Sequence, residues 1–168
     1  MTNRIILDGR IVDDAWQIVE AGAALPPTGD IVVSLAAWQE QRALLAARDA
    51  RTGVWLKPDD EPGLLASDTS TLPLIAVQFP QFADGRGYST ARLLRQRYGF
   101  GGELRAIGEV LRDQLFYLQR VGFNAFAIKE GKSIDDALKA FGDFSESYQS
   151  AVDQPTPLYR RRLQDSPA

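Results

Sequence analysis

The chain contains no cysteine and no histidine. Structural zinc sites, iron–sulfur clusters and thiolate nucleophiles need cysteine sulfur, and the usual haem and catalytic zinc sites need imidazole. A Ser-His-Asp triad and a histidine general base are excluded for the same reason. Acid–base and electrostatic chemistry is left to Asp, Glu, Lys, Tyr and Arg, and a magnesium site built from carboxylates stays open. We therefore expect no redox cofactor and assign no metal ligand.

Long apolar segments are also missing. No run of about 18 apolar residues occurs, and the first eight residues lack the basic region and apolar stretch of a signal peptide. We therefore expect a cytoplasmic protein that does not bind a membrane. A length of 168 residues, with 45% hydrophobic and 24% charged residues, is typical of one globular domain. That domain is predicted over residues 1–150, followed by a poorly structured tail over 151–168.

Charge is distributed unevenly along the chain. The net charge of −3 argues against general nucleic-acid binding. Residues 1–70 carry 11 acids and 6 bases, whereas residues 71–129 carry 4 acids and 8 bases, 7 of them arginine. Arginine recognises carboxylate, phosphate and sulfate-like groups through two parallel hydrogen bonds. The basic middle of the chain therefore predicts anion binding, with the alternative that these arginines pair with scattered acids and cover apolar surface.

Apolar runs alternate with amphipathic segments along most of the chain. Two short runs around Asp8-Gly9 predict a hairpin within residues 1–21, which the run 16–19 extends. Alternation of strands and helices over residues 30–150 predicts an α/β fold with a mainly parallel sheet, because parallel neighbours need crossover connections. An open doubly wound sheet and an incomplete, barrel-like βα arc both satisfy this pattern. The five predicted strands are 30–35, 53–56, 73–79, 103–107 and 123–128, and the predicted helices are 36–48, 89–98, 109–121 and a short one beginning at Ser133.

The loop after the third of these strands, Phe82 to Ser89, is the predicted functional site. In parallel α/β folds the loops at the carboxyl ends of the strands line the ligand crevice, and helices that begin there direct free N–H groups toward it. Gly85 and Gly87 permit backbone geometries closed to other residues, and Ser89 is expected to cap the helix. Arg86 of the loop and arginines of the helix then complete an anion site. Arg92 and Arg95 lie on different parts of the helix surface, so only one of them is expected to face the loop.

Two residues of the same loop are candidates for catalysis. Asp84 is a candidate general base or an arginine-orienting group, and Tyr88 is a candidate hydrogen-bond donor or general acid. The alternative for Asp84 is a turn residue that bonds its own backbone, and the alternative for Tyr88 is a half-buried aromatic with a packing role.

A second polar group surrounds the fourth predicted strand. Arg105 lies in a strand that should be buried, where an unpaired charge costs several kcal/mol. Glu103, on the same face of the strand, and Asp84, from the neighbouring loop, are the expected partners. Asp113 and Gln114 follow at the start of the next helix and are included in the predicted ligand site. The alternative is a structural ion-pair network at the edge of the sheet.

Three stretches carry a resemblance to a known family: 82–95, with the sequence FADGRGYSTARLLR, 102–115, with GELRAIGEVLRDQL, and 120–123, with RVGF. With these motifs the chain resembles the bacterial domain-of-unknown-function 934 family over about residues 50–130. The resemblance implies an oxidoreductase role linked to sulfite reduction, beside the sulfite reductase haemoprotein. It brings no catalytic residues with it.

Three functions are compatible with these features. Because redox ligands are missing, the first is an accessory protein or subunit of assimilatory sulfite reduction that recognises an anion or a redox partner through residues 82–95. The second is an enzyme or sensor that binds a phosphate- or sulfate-bearing metabolite at the same loop. The third is an interaction scaffold without catalysis. Whether any reaction is catalysed, and whether the chain forms a homo-oligomer, stays open.

Overall fold

The computed structural model describes residues 3–143, 149–158 and 160–161. Within them, eight strands form one sheet and four short α-helices cover it. The strands are β1 (Arg4–Leu7), β2 (Arg10–Asp13), β3 (Trp16–Ile18), β4 (Asp30–Ser34), β5 (Thr52–Leu56), β6 (Leu74–Phe79), β7 (Glu103–Gly108) and β8 (Ala125–Phe126). The helices are α1 (Leu35–Ala46), α2 (Arg86–Arg92), α3 (Leu115–Arg120) and α4 (Ile134–Lys139), with short 3₁₀ turns at Pro62–Leu65, Arg112–Gln114 and Ala140–Gly142.

The strand order distinguishes between the two predicted arrangements. It runs β2-β1-β8-β7-β6-β5-β4-β3, so the parallel strands β3 to β8 follow one another in chain order. A doubly wound sheet reverses its direction at a switch point, and this sheet does not. The barrel-like arc is therefore the observed fold. The predicted mainly parallel sheet is confirmed, but the count of about five such strands was too low, because 16–18 pairs in parallel with β4 and is a sixth.

The predicted N-terminal hairpin is confirmed. β1 and β2 pair in antiparallel register around Asp8 and Gly9, whose φ angles of 48° and 73° are those of the tight turn that suits a twisted hairpin. β1 also pairs antiparallel with β8, so the two ends of the folded domain share one sheet.

The sheet is strongly curled, and its two edges are joined by a very short link. β2 and β3 are the edge strands, and only Asp14 and Ala15 separate them in the chain. Three Cα–Cα steps span at most about 11 Å. In a flat sheet, seven strand spacings would hold the same edges about 34 Å apart. The Asp14–Ala15 link therefore requires the sheet to curl until its edges approach.

Strand alternation divides the core into two faces. The outer face packs against the helices and holds most of the apolar core, including Val33, Val54 and Ile75. The inner face holds a smaller cluster, made of Val32, Trp55, Leu74, Ala76 and Ile107 with Trp16 and Ala127 against it. Because both faces are buried, the central strands read as continuous apolar runs rather than as alternating ones.

A buried ion-pair cluster lies on the inner face at the Asp14–Ala15 link. The side chain of Arg105 is 1% exposed, and its Nη1 donates to Asp14 Oδ2 at 2.9 Å. Its Nε donates to Glu103 Oε1 at 2.7 Å. Glu103 is thus a partner, as expected. Asp84 is not, because it lies in the loop after β6 and bonds Arg86 instead.

Two predicted helix boundaries are wrong. The helix assigned to 89–98 begins at Arg86, so Ser89 lies inside it and does not cap it. The helix assigned to 109–121 begins only at Arg112, with a 3₁₀ turn before α3. Gly108 has a φ of 94°, the chain bends at Glu109, where the Val110 amide donates to the Gly108 carbonyl at 2.8 Å, and Leu111 is extended before the helical turn. Glu109 therefore lies outside the helix.

Other boundaries agree more closely with the sequence. Ser133 caps α4 by accepting the Asp136 amide at 3.1 Å, as predicted. The helix predicted over 36–48 is observed as α1, and Ser34 caps it.

Part of the segment predicted as a tail packs on the domain. The Val152 amide donates to the Arg120 carbonyl at 3.0 Å, and Arg120 Nη1 donates to Asp153 at 2.9 Å. Residues 159 and 162–168 lie outside the described residues. Among the described residues, no helix has the length and apolarity needed to cross a bilayer.

Replacing Arg105 by methionine is expected to lower the free energy of unfolding by about 3–5 kcal/mol, because it leaves two carboxylates near the inner face without their cation. Urea denaturation measures the change. The matched control is Arg4→Met, which removes an exposed pair with Asp135 and should cost less than about 0.5 kcal/mol. Equal losses in the two variants would show that the buried cluster does not hold the sheet together.

Candidate functional site

Asp84 and Arg86 form the centre of the predicted site loop. Asp84 accepts from the Arg86 amide at 3.2 Å, from its Nε at 2.9 Å and from its Nη2 at 2.7 Å. Asp84 therefore satisfies the free N–H at the start of α2, which is the role that the sequence assigned to Ser89. The Arg86 guanidinium lowers the pKa of Asp84 below its usual range.

Arg86 has a second acidic partner. Asp59, from the loop after β5, bonds its Nη1. The two carboxylates raise the pKa of Arg86, with Asp84 as the larger cause. One guanidinium between two carboxylates has no surplus positive charge for a ligand anion. The charge of Arg86, which the sequence predicts as an anion contact, is thus neutralised within the protein.

The two glycines of the loop differ in their surroundings. Gly85 is exposed and precedes α2, and a Cβ placed on it would meet nothing within 4 Å. Gly87 is buried, and a Cβ there would lie 2.5 Å from Phe79 Cζ. Gly87 therefore lets α2 pack closely on the end of β6, which is a packing role.

Tyr88 and Gln114 are brought together beneath the loop. Tyr88 is half-buried and packs edge-on against Phe79, with ring centroids 5.6 Å apart. Burial raises the pKa of its hydroxyl, and a hydrogen bond with Gln114 partly opposes this. Gln114 is buried, donates to the Phe82 carbonyl at 3.3 Å and accepts from the Leu111 amide at 3.0 Å. These contacts hold the two neighbouring loops together.

Arg95 joins the end of the helix to the starts of two strands. Its guanidinium donates to the carbonyls of Phe100, Gly102 and Gly122 at 2.6, 2.9 and 2.9 Å. It also donates to Asn124 Oδ1 at 3.1 Å. Burial lowers the pKa of Arg95. Its donors join the helix to the amino ends of β7 and β8, at the end of the sheet opposite the 82–89 loop.

The remaining predicted residues lie apart from the loop. Arg92 is exposed and donates through Nε to Gln96 at 2.9 Å, Ser89 and Asp113 are exposed, and Arg105 is buried on the inner face. Arg86, Arg92 and Arg95 therefore do not converge. The structure brings together only Asp84 with Arg86 and Tyr88 with Gln114 among the predicted residues.

An exposed surface on the outer side of the helix contains Ser89 and Arg92, which the sequence predicted as site residues, together with Leu93, Gln96 and Arg97, which it did not. The helix continues from α2 through a π-helical segment, Leu93–Arg97, in which the Tyr98 amide bonds the Leu93 carbonyl five residues earlier at 3.0 Å. A shallow depression of about 390 Å³ follows this surface. The residues that line it, here named the outer helix surface, are Ser89, Arg92, Leu93, Gln96 and Arg97.

Among the described residues, no group of three or more acidic side chains is placed so that it could hold a metal ion.

Replacing Gly87 by alanine is expected to lower the free energy of unfolding by about 1–3 kcal/mol, because its methyl group overlaps the Phe79 ring. The control is Gly101→Ala, where an added Cβ meets nothing within 4 Å and φ is not positive. That variant should be within about 0.5 kcal/mol of the parent. Thermal and urea denaturation measure both, and a neutral Gly87→Ala would remove the packing explanation.

The carboxyl pKa of Asp84 is expected to rise toward its ordinary value of about 3.9 in Arg86→Gln, because its main hydrogen-bond partner is removed. In the parent, the lowered pKa of Asp84 means that the pair stabilises the fold when the pH is above this ordinary pKa. The stabilisation is lost as the pH falls through the folded-state pKa. Carboxyl ¹³C NMR titration measures the shift, with Arg92→Gln as a control that leaves Asp84 unchanged. An ordinary pKa for Asp84 in the parent would contradict the pairing.

Comparison with known proteins gives a family but no relative of known function. No curated protein and no solved structure gives a significant match. A family model described as "Bacterial protein of unknown function (DUF934)" matches residues 53–159, which is more than half of the chain's 168 residues. That segment includes the 82–89 loop, the outer helix surface and Arg105. The chain therefore belongs to the DUF934 family of bacterial proteins of unknown function.

Proposed function

We propose that the chain is a cytoplasmic accessory protein or subunit that supports assimilatory sulfite reduction by binding a partner protein through residues 82–97. The observation that carries the proposal is the outer helix surface, where two arginines flank an exposed leucine and neither pairs with an acid of the described chain. Within the described residues, neither Arg92 nor Arg97 has a carboxylate within ion-pair distance, and Leu93 is 36% exposed. Phe82, at the start of the same segment, is 56% exposed.

These residue types favour a protein partner. Protein interfaces are enriched in arginine and aromatic residues, and the residues that dominate binding are often of these types. Residues 85–102 contain four arginines and no acid. Because Arg86 and Arg95 are bonded inside the protein, Arg92 and Arg97 are the two that remain for a partner. Their charge favours an acidic patch with an apolar contact for Leu93.

The proposed partner is the sulfite reductase haemoprotein, and its identity comes from the family resemblance. Binding of a phosphate- or sulfate-bearing metabolite at the 82–89 loop is the less favoured alternative, because Asp84 and Asp59 already neutralise Arg86. An accessory role needs no redox ligand from this chain.

The double variant Arg92→Glu/Arg97→Glu is expected to bind the sulfite reductase haemoprotein at least about tenfold more weakly than the parent, because both contacts become repulsive. Surface plasmon resonance at micromolar concentrations and at two salt concentrations measures the affinity. The control is Arg4→Glu/Arg10→Glu on the N-terminal hairpin, which makes the same change in net charge elsewhere.

Two results would reject different parts of the proposal. Absence of a complex with the parent protein, together with unchanged sulfite use in a deletion strain, would reject the partner. A complex weakened equally by both double variants would reject the outer helix surface as its binding site.

A further inference from the structure

A second polar region lies on the inner face of the sheet, at the carboxyl ends of its central strands. Leu56 is opposite Val77 in the β5–β6 register, so the next residues, Lys57 and Gln78, are neighbours about 4.8 Å apart at the Cα level. Two residues earlier in each strand, Trp55 and Ala76 belong to the inner-face cluster. Because side chains alternate along a strand, Lys57 and Gln78 lie above that cluster.

The Lys57 ammonium group forms no ion pair with an acid in the part of the chain that the structure describes. It is exposed, with its Nζ 5.9 Å from the centroid of the Trp55 ring, and no carboxylate among the described residues lies within 4.0 Å of it. The acids of the following loop have other partners. Asp60 accepts the backbone amide of Lys57 at 2.7 Å, and Asp59 bonds Arg86. The Lys57 charge is therefore available to a ligand.

The Gln78 side-chain amide also has no hydrogen-bond partner among the described residues. The residue is partly buried, and its side chain makes no hydrogen bond to another described residue. Half-buried amides normally have partners, so with respect to the described residues its donors are left to water or to a ligand. One ammonium and one amide, on adjacent strands, thus offer hydrogen-bond donors at one place.

The ends of the next two strands bound this region. Lys129 Nζ donates to Glu109 Oε2 at 2.6 Å, and these residues follow β8 and β7. The ion pair holds Lys129 in place and adds no net charge. Trp55 and Ile107 form an apolar floor between the polar groups. An apolar floor with a few polar groups at its rim is the usual composition of a small-molecule site.

We infer that Lys57 and Gln78 form a binding site for a small oxyanion, here named the inner-edge site. The Lys57 ammonium supplies the charge, and the Gln78 amide donates a second hydrogen bond to the same group. Its position agrees with the rule that ligands of parallel α/β sheets bind at the carboxyl ends of the strands. The site is separate from the outer helix surface and does not depend on the proposed partner.

Titration with sodium sulfate, sodium phosphate or sodium acetate, at constant ionic strength set by sodium chloride, tests the site. The indole N–H resonance of Trp55, assigned with Trp55→Phe, is expected to shift saturably in ¹H–¹⁵N NMR spectra with at least one of these anions. In Lys57→Gln the affinity for that anion should fall about tenfold, which corresponds to the loss of one charge-assisted hydrogen bond. In Gln78→Leu it should fall about threefold, as for a neutral hydrogen bond.

The matched control is Lys139→Gln, which removes an exposed lysine on α4 and should leave the affinity unchanged. No saturable shift with any of the three anions would overturn the inference. An affinity unchanged in Lys57→Gln, or reduced equally in Lys139→Gln, would also overturn it, since the shift would then reflect non-specific screening. The proposed partner complex is measured separately, so its absence has no bearing on this result.

Discussion

The buried cluster of Arg105 with Asp14 and Glu103 constrains the rest of the structure. A guanidinium on the inner face would cost several kcal/mol without compensation, and most of its neighbours there are apolar. Asp14 supplies part of that compensation from the link between the two edge strands, 91 residues away in the chain. Because that link must reach Arg105, the edges of the sheet are held near each other. The curl of the sheet, and with it the separation of an inner from an outer face, is consistent with this one requirement.

Two arginines of the candidate site use their guanidinium groups to bond oxygen atoms of the protein itself. Arg86 has two carboxylate partners, and Arg95 has four oxygen partners. Arg92 and Arg97 lie on the outer face of the sheet, and Lys57, from an earlier loop, lies on its inner face. Function in this protein is therefore better sought in its surfaces than in the loop that connects them. A partner on one face and a small anion on the other would not compete for the same residues.

Local patterns predicted the local structure well. The Asp8-Gly9 hairpin and the Ser133 cap each depend on a few adjacent residues, and both are observed. The strand order could not be read in the same way, because the same alternation fits two topologies. The start of α2 was misplaced because Ser89 is a good capping residue, whereas the observed helix begins after Gly85 and Asp84 bonds the amide of its first residue, Arg86. Nothing near Asp14 indicates that it pairs with Arg105. Likewise, the carbonyl partners of Arg95 come together only after β7 and β8 are in place.

The pairing of β1 with β8 has a consequence for how the chain reaches its native state. Ile6 lies opposite Phe126, so the first strand can be placed only after more than a hundred further residues are available. Contacts between distant parts of a chain form slowly, because the entropy of closing the intervening loop is lost before they form. During synthesis the N-terminal hairpin must therefore wait beside the ribosome with one strand edge unpaired. Until β8 emerges, that edge is open to wrong partners, which makes it the point where a chaperone would protect this protein most.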